Sequence, residues 1–290
     1  MKHKEDAVIF ECDRKRLVGI VHGADSATTG VLIIVGGPQY RVGSHRQFLL
    51  LARYLANNNV PVMRFDYRGM GDAEGEICTF ENVNNDVRAA LGVFFKKSPS
   101  LQSVVLWGLC DAASAALFYG HTDSRVKGMI LLNPWVRTEA GQAKAYLRHY
   151  YFQRLFDKGF WRKVISGKFD IEKSLTSLLE FFNKSSGGKA EKSNLSELDD
   201  VSKPSCSSIP LPERMYESLE RFQGSVSIII SGNDLTAAEF EDMVKASKSW
   251  QKLLQTKEVE FQYLPEANHT FSREAWRNQV AKYSLQQVLR

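Results

Sequence analysis

The chain has 290 residues, is 43% hydrophobic and 24% charged, and carries a formal net charge of +5 at pH 7. This composition can bury a substantial core, which excludes a wholly disordered chain. No run of 18 apolar residues occurs, and Met1-Lys2-His3-Lys4-Glu5-Asp6 lacks an apolar export signal, so a soluble cytoplasmic protein is expected.

Cys12, Cys78, Cys110 and Cys206 are widely spaced with no C-x-x-C pair, so they read as reduced thiols and not as a disulfide or zinc framework. No metal or organic cofactor is expected.

In chain order, Val8–Cys12 and Leu17–Gly23 read as a hairpin, and Gly30–Gly37 as a buried strand. A helix follows from about Ser44, the expected N-cap, to Asn58. Pro61–Tyr67 is the next strand and Phe80–Lys97 the next helix. Ser103–Cys110 is a strand entering the small-residue helix Asp111-Ala-Ala-Ser-Ala-Ala, and Val126–Trp135 is another strand. After an interruption, Ser225–Asp234, a helix from about Thr236, Val259–Ala267 and a helix from about Phe271 resume the alternation. Alternation of this kind predicts an α/β architecture, a mostly parallel twisted sheet flanked by helices.

The interruption, residues 136–212, reads as a helical cap inserted into a core made of 1–135 and 213–290. Its first part is aromatic and basic. Tyr146, Tyr150, Tyr151, Phe152, Phe156, Phe160 and Trp161 fall there, along with nine Lys/Arg against four Asp/Glu between Arg137 and Lys173. That local surplus equals the whole net charge, which points to an anionic partner and not to general nucleic-acid binding. Asn183–Pro212, rich in Ser, Lys, Gly and Pro, reads as a mobile connection.

The strongest local pattern is Gly108-Leu109-Cys110-Asp111-Ala112, between the Val104–Trp107 strand and the Ala-rich helix. This is the setting of a nucleophile elbow, a tight strand-to-helix turn that exposes a nucleophile between small neighbours. It departs from G-x-S-x-G in having Cys110 for serine and Ala112 for the second glycine. A thiol at a helix N-terminus beside a histidine is expected to have a depressed pKa. Asp234 follows the strand 226–231 and His269 follows the next strand, in the chain order nucleophile, acid, base. The alternative readings are a helix N-cap for Asp234, a surface histidine for His269 and a buried structural thiol for Cys110. Oxyanion donors are expected from the N–H of Asp111 and of Gly37, with Gln39 as the alternative because Pro38 has no N–H. Arg41, His45 and Arg46 are weaker candidates for holding an anionic group of a substrate.

Phe65-Asp66-Tyr67-Arg68-Gly69-Met70-Gly71-Asp72 resembles the loop after strand four of many α/β-hydrolases. Gly36–Arg46, Trp107–Ala112 and Leu132–Arg137 together resemble the exosortase A system-associated hydrolases of the first type. The cysteine elbow also resembles dienelactone hydrolases. The resemblance implies the α/β-hydrolase fold and a bacterial cytoplasmic enzyme serving envelope or exopolysaccharide metabolism. The chemistry expected from the residues is hydrolysis of a carboxylic ester or thioester through an acyl-cysteine. An acyltransferase with the same triad, or a non-catalytic binding protein on this fold, are the rival readings. Partners that fit are a small-molecule acyl substrate, an acyl carrier, and the inner-membrane surface reached through the basic cap.

Overall fold

The computed structural model describes residues 4–23, 27–37, 39–136 and 209–290. Strand β1 (Glu5–Cys12) turns at Asp13 and Arg14, both at positive φ, into antiparallel β2 (Lys15–His22). In β1 the buried Val8, Phe10 and Cys12 alternate with exposed residues, as in a strand covered on one face. β3 (Thr29–Ile34), β5 (Ser103–Leu109) and β6 (Val126–Leu132) instead carry buried apolar runs, as strands covered on both faces require, and β4 (Val62–Asp66) is buried throughout although it includes Arg64 and Asp66. β7 (Ser225–Asn233) and β8 (Glu260–Asn268) complete an eight-stranded sheet in the order β1-β2-β4-β3-β5-β6-β7-β8. β2 is antiparallel to β1 and β4, and every other neighbouring pair is parallel.

The helices are α1 (Gln47–Asn57), α2 (Asn84–Lys97), α3 (Asp111–Gly120), α4 (Leu211–Arg221), α5 (Leu235–Ala246), α6 (Lys248–Thr256) and α7 (Glu274–Val288). α1 buries Phe48, Leu51, Ala52 and Leu55, and α2 buries Val87, Ala90, Leu91 and Phe94, each a stripe at helical spacing. In α3 every residue from Ala112 to Gly120 is buried, and its alanines let it lie close against β5 and β6. Trp107 ties the sheet to the other face: its ring meets Phe48 of α1 edge-on and its Nε1–H donates to Ser284 Oγ of α7 at 3.1 Å.

Several boundaries differ from the sequence expectation for local reasons. Ser44 does not cap a helix: Ser44–Arg46 form a 3-10 turn in which His45 and Arg46 have positive φ, and α1 starts only at Gln47. Phe80–Asn82 is likewise a separate turn ahead of α2. The helix expected after Thr236 is two helices, broken at Ser247, whose hydroxyl accepts the Trp250 N–H at the start of α6. The last helix begins at Glu274 because Phe271 is buried with φ 49. α4 begins at Leu211, inside the stretch expected to be a connection. The chain divides into two compact units, Met1–Gln142 with Cys206–Arg290, and Ala143–Ser205. The helical cap expected over 136–212 lies outside the described residues, except for its ends at Val136 and 209–212.

Candidate active site

β5 ends at Leu109, α3 starts at Asp111, and Cys110 between them adopts φ 64, ψ −125. This backbone costs a non-glycine residue about 1–3 kcal/mol, so its surroundings must impose it. They do: Cys110 N–H donates to Leu132 O at 2.8 Å, and Cys110 O accepts N–H bonds from Ala113 at 3.0 Å and Trp135 at 3.3 Å. Gly108 is required for the approach, since a Cβ there would lie 2.4 Å from the Ala112 carbonyl oxygen. Ala112 itself is fully buried, so a methyl group fits where a second glycine is commonest.

Asp234 follows β7 and caps α5, accepting the Thr236 N–H on Oδ1 and the Ala237 N–H on Oδ2, each at 3.2 Å. The same Oδ2 lies 2.9 Å from Nδ1 of His269, which follows the neighbouring strand β8. The helix cap and the partner of His269 are therefore one carboxylate. A carboxylate partner assigns the proton to Nδ1 and leaves Nε2 as the basic nitrogen. Burial opposes the imidazolium, but the hydrogen bond to Asp234 and the charges of Asp234 and Asp111 outweigh it, so the His269 pKa stands above its ordinary value.

Asn133, quoted in the sequence only as part of a resemblance, joins these elements. It is fully buried at the end of β6. Its amide donates to Ser231 Oγ at 2.7 Å, its carbonyl accepts the Ser231 N–H at 2.9 Å, and its Nδ2 lies 3.5 Å from His269 O. In the sequence the only signal for it is an asparagine placed at the end of an apolar strand run. Asp66 plays a similar part under the loop after β3, where its buried carboxylate accepts the backbone N–H of Arg41 at 2.6 Å and of Asp72 at 3.1 Å.

The expected oxyanion donors are occupied in an unexpected way. Gly37, at φ 58, donates its N–H to Asp111 Oδ2 at 2.9 Å, and Asp111 Oδ1 accepts the Ala112 N–H at 2.9 Å. The Asp111 N–H faces both its own carboxylate and the Cys110 sulfur. Gln39 uses its side-chain carbonyl to accept the Ser44 N–H at 3.0 Å, which pins the loop. The Arg41 guanidinium is committed to Asp66 and, at 2.7 Å, to Asp72, so it is a loop clamp in this state. His45 and Arg46 are exposed.

The expected depression of the Cys110 pKa does not occur. Burial, followed by the charge of Asp111 and then those of Asp234 and Glu239, pushes the thiol up, and the Asp111 N–H offsets only part of this. Three carboxylates and desolvation outweigh one helix N-terminus. Among the described residues, no group of three or more His, Cys, Asp and Glu side chains converges on a metal position.

A sheet of this order, with an elbow after its fifth strand and a His–Asp pair after its last two, defines an α/β-hydrolase. The family described as serine aminopeptidase, S33, matches residues 27–176, half of the chain, and the protein belongs to that family of hydrolases. No curated protein matches the sequence. Among solved structures, an esterase from Pyrococcus furiosus is similar over 99% of this chain and 94% of its own, with a TM-score of 0.62 at 13% identity. Est1E from Butyrivibrio proteoclasticus, solved with ferulic acid, has a TM-score of 0.59 at 13% identity and covers 98% and 100%. A dienelactone hydrolase from Anabaena variabilis has a TM-score of 0.60 at 12% identity and covers 100% and 98%. At these identities the likeness is one of fold.

Proposed function

We propose that the protein hydrolyses a carboxylic ester or thioester through an acyl-cysteine intermediate on Cys110, with His269 as general base and Asp234 orienting the imidazole. The observation that carries this reading is the 2.9 Å bond between His269 Nδ1 and Asp234 Oδ2, made from the ends of adjacent strands. The raised thiol pKa favours proton transfer during attack over a standing thiolate–imidazolium pair.

In the first step His269 Nε2 takes the thiol proton as sulfur attacks the carbonyl carbon. The tetrahedral oxyanion takes hydrogen bonds from the Asp111 and Gly37 N–H groups, and one such donor is worth about 3–4 kcal/mol of barrier. Collapse breaks the bond to the leaving alcohol or thiol, which receives the proton from His269. Water then attacks the acyl-cysteine and gives its proton to His269. The second collapse releases the carboxylic acid, and the sulfur recovers its proton.

The resemblance of 36–46, 107–112 and 132–137 to exosortase A system-associated hydrolases supports a bacterial role in envelope polysaccharide metabolism. The basic, aromatic segment after Arg137 supports an anionic acyl donor, such as a carrier-bound thioester, or the inner-membrane surface as partner.

A panel of nitrophenyl esters and acyl thioesters, with and without an alcohol acceptor, tests the reaction. Hydrolysis with a transient acyl mass on Cys110, lost in Cys110→Ala, is the expected result. Turnover that Cys110→Ala retains overturns the nucleophile, and product ester formed only with the acceptor identifies a transferase.

A further inference from the structure

Asp111 stands where the oxyanion of the reaction above must form. Its Oδ2 holds the Gly37 N–H at 2.9 Å, and its Oδ1 holds the Ala112 N–H at the same distance. The chain makes room for this carboxylate. A Cβ on Gly36 would come 2.3 Å from Asp111 Oδ1, as well as 2.7 Å from Leu109 O, so the side chain missing at Gly36 admits both the carboxylate and the elbow. The neighbouring Gly37, at φ 58, turns its N–H onto Oδ2.

One N–H serves one strong acceptor at a time, and two anions sharing a set of donors repel each other. A carbonyl oxygen that gains negative charge on Gly37 therefore competes directly with Asp111. Resting on the reading of Cys110 as nucleophile, we infer that Asp111 is a positioning residue. Its carboxyl group is the resident acceptor in the oxyanion pocket, holds the Gly37 donor in place, and must yield that donor before Cys110 can be acylated.

The charged and titratable groups around this point, among the described residues, come from four elements. Tyr67 follows β4, Cys110 and Asp111 form the elbow, Asp234 and Glu239 belong to α5 and its cap, and His269 follows β8. None but His269 can bring positive charge, so removal of the Asp111 charge has one direction of effect on the thiol.

The test uses the full chain with Asp111→Ala and the size-preserving Asp111→Asn. Acylation of Cys110 by p-nitrophenyl acetate is followed as the burst at neutral pH. Alkylation by iodoacetamide is followed across pH, with the peptides mapped so that Cys110 is read apart from the other thiols. Both variants are expected to acylate faster than wild type. The midpoint of Cys110 alkylation is expected to fall by one unit or more, making alkylation about tenfold faster below the wild-type midpoint.

An unchanged or slower burst in both variants overturns the inference, as does an unmoved alkylation profile. If Cys110→Ala hydrolyses the ester as well as wild type, the nucleophile reading falls whatever Asp111 does. If Cys110→Ala is inactive and the Asp111 variants are no faster, that reading stands and the inference about Asp111 fails alone.

Discussion

At the scale of single residues, Asp234 both caps α5 and faces His269, and under the proposed mechanism substitution separates the two. Asparagine caps a helix as well as aspartate does, but it removes the charge facing His269. Asp234→Asn is therefore expected to keep the helix cap and lose about 10²–10⁴-fold in kcat, whereas Asp234→Ala also loses about 1 kcal/mol with the cap. Steady-state rates and urea melts on the two variants separate these effects.

The pH dependence has a definite sign. Under the proposed mechanism His269 must be neutral to accept the thiol proton, and against the effect of burial its pKa is raised by Asp234 and Asp111. The acid limb of kcat/KM is then expected above the ordinary histidine value of about 6.5, and to move to lower pH in Asp234→Asn. The same shift stabilises the fold fully below about pH 6.5, and this contribution is lost as pH rises through the raised folded value. Melting curves taken across neutral pH should show wild type losing its advantage over Asp234→Asn as pH climbs.

At the scale of elements, the elbow stores strain in a residue that cannot be glycine and still react. At φ 64 glycine avoids the Cβ penalty that alanine keeps. Cys110→Gly is expected to be about 1 kcal/mol more stable than Cys110→Ala, with both inactive on esters. Equal stabilities would show that the turn is relaxed. The element pattern was largely legible: buried apolar runs marked β3, β5 and β6, and helical stripes marked α1 and α2. The misses have a common cause. The left-handed residues before α1, the break at Ser247 and the late start of α7 depend on backbone dihedrals that side-chain periodicity does not encode. α4 escaped notice because it lies directly after the irregular Ser/Lys-rich stretch.

At the scale of the whole molecule, the sheet order gathers the site. Residues 110, 133, 234 and 269 come from ends of β5, β6, β7 and β8, which are consecutive neighbours in the sheet. Among the described residues, no helix is long and apolar enough to cross a membrane. Reversing Arg162 and Lys163 to glutamate is expected to raise KM for an anionic acyl thioester several-fold, with KM for a neutral ester unchanged. The difference should shrink toward 1 M salt, where the Debye length has fallen from about 10 Å at 0.1 M to about 3 Å. Vesicle binding lost without any change in KM would favour the membrane surface; neither effect would leave the basic segment without a charged partner.

Periodicity, chain order and a few small residues were enough, from sequence alone, to put a thiol at a strand-to-helix turn and an aspartate and a histidine behind the last two strands. Those features are local, and local sterics decide them. What only the tertiary structure decided is the electrostatic state of the site. The carboxylate of Asp111 reaches back to Gly37, 74 residues earlier in the chain, and Asp234 and Glu239 face the same thiol. Through-space charge and burial, which no spacing along the chain encodes, push up the pKa of a thiol that the helix N-terminus alone was expected to lower.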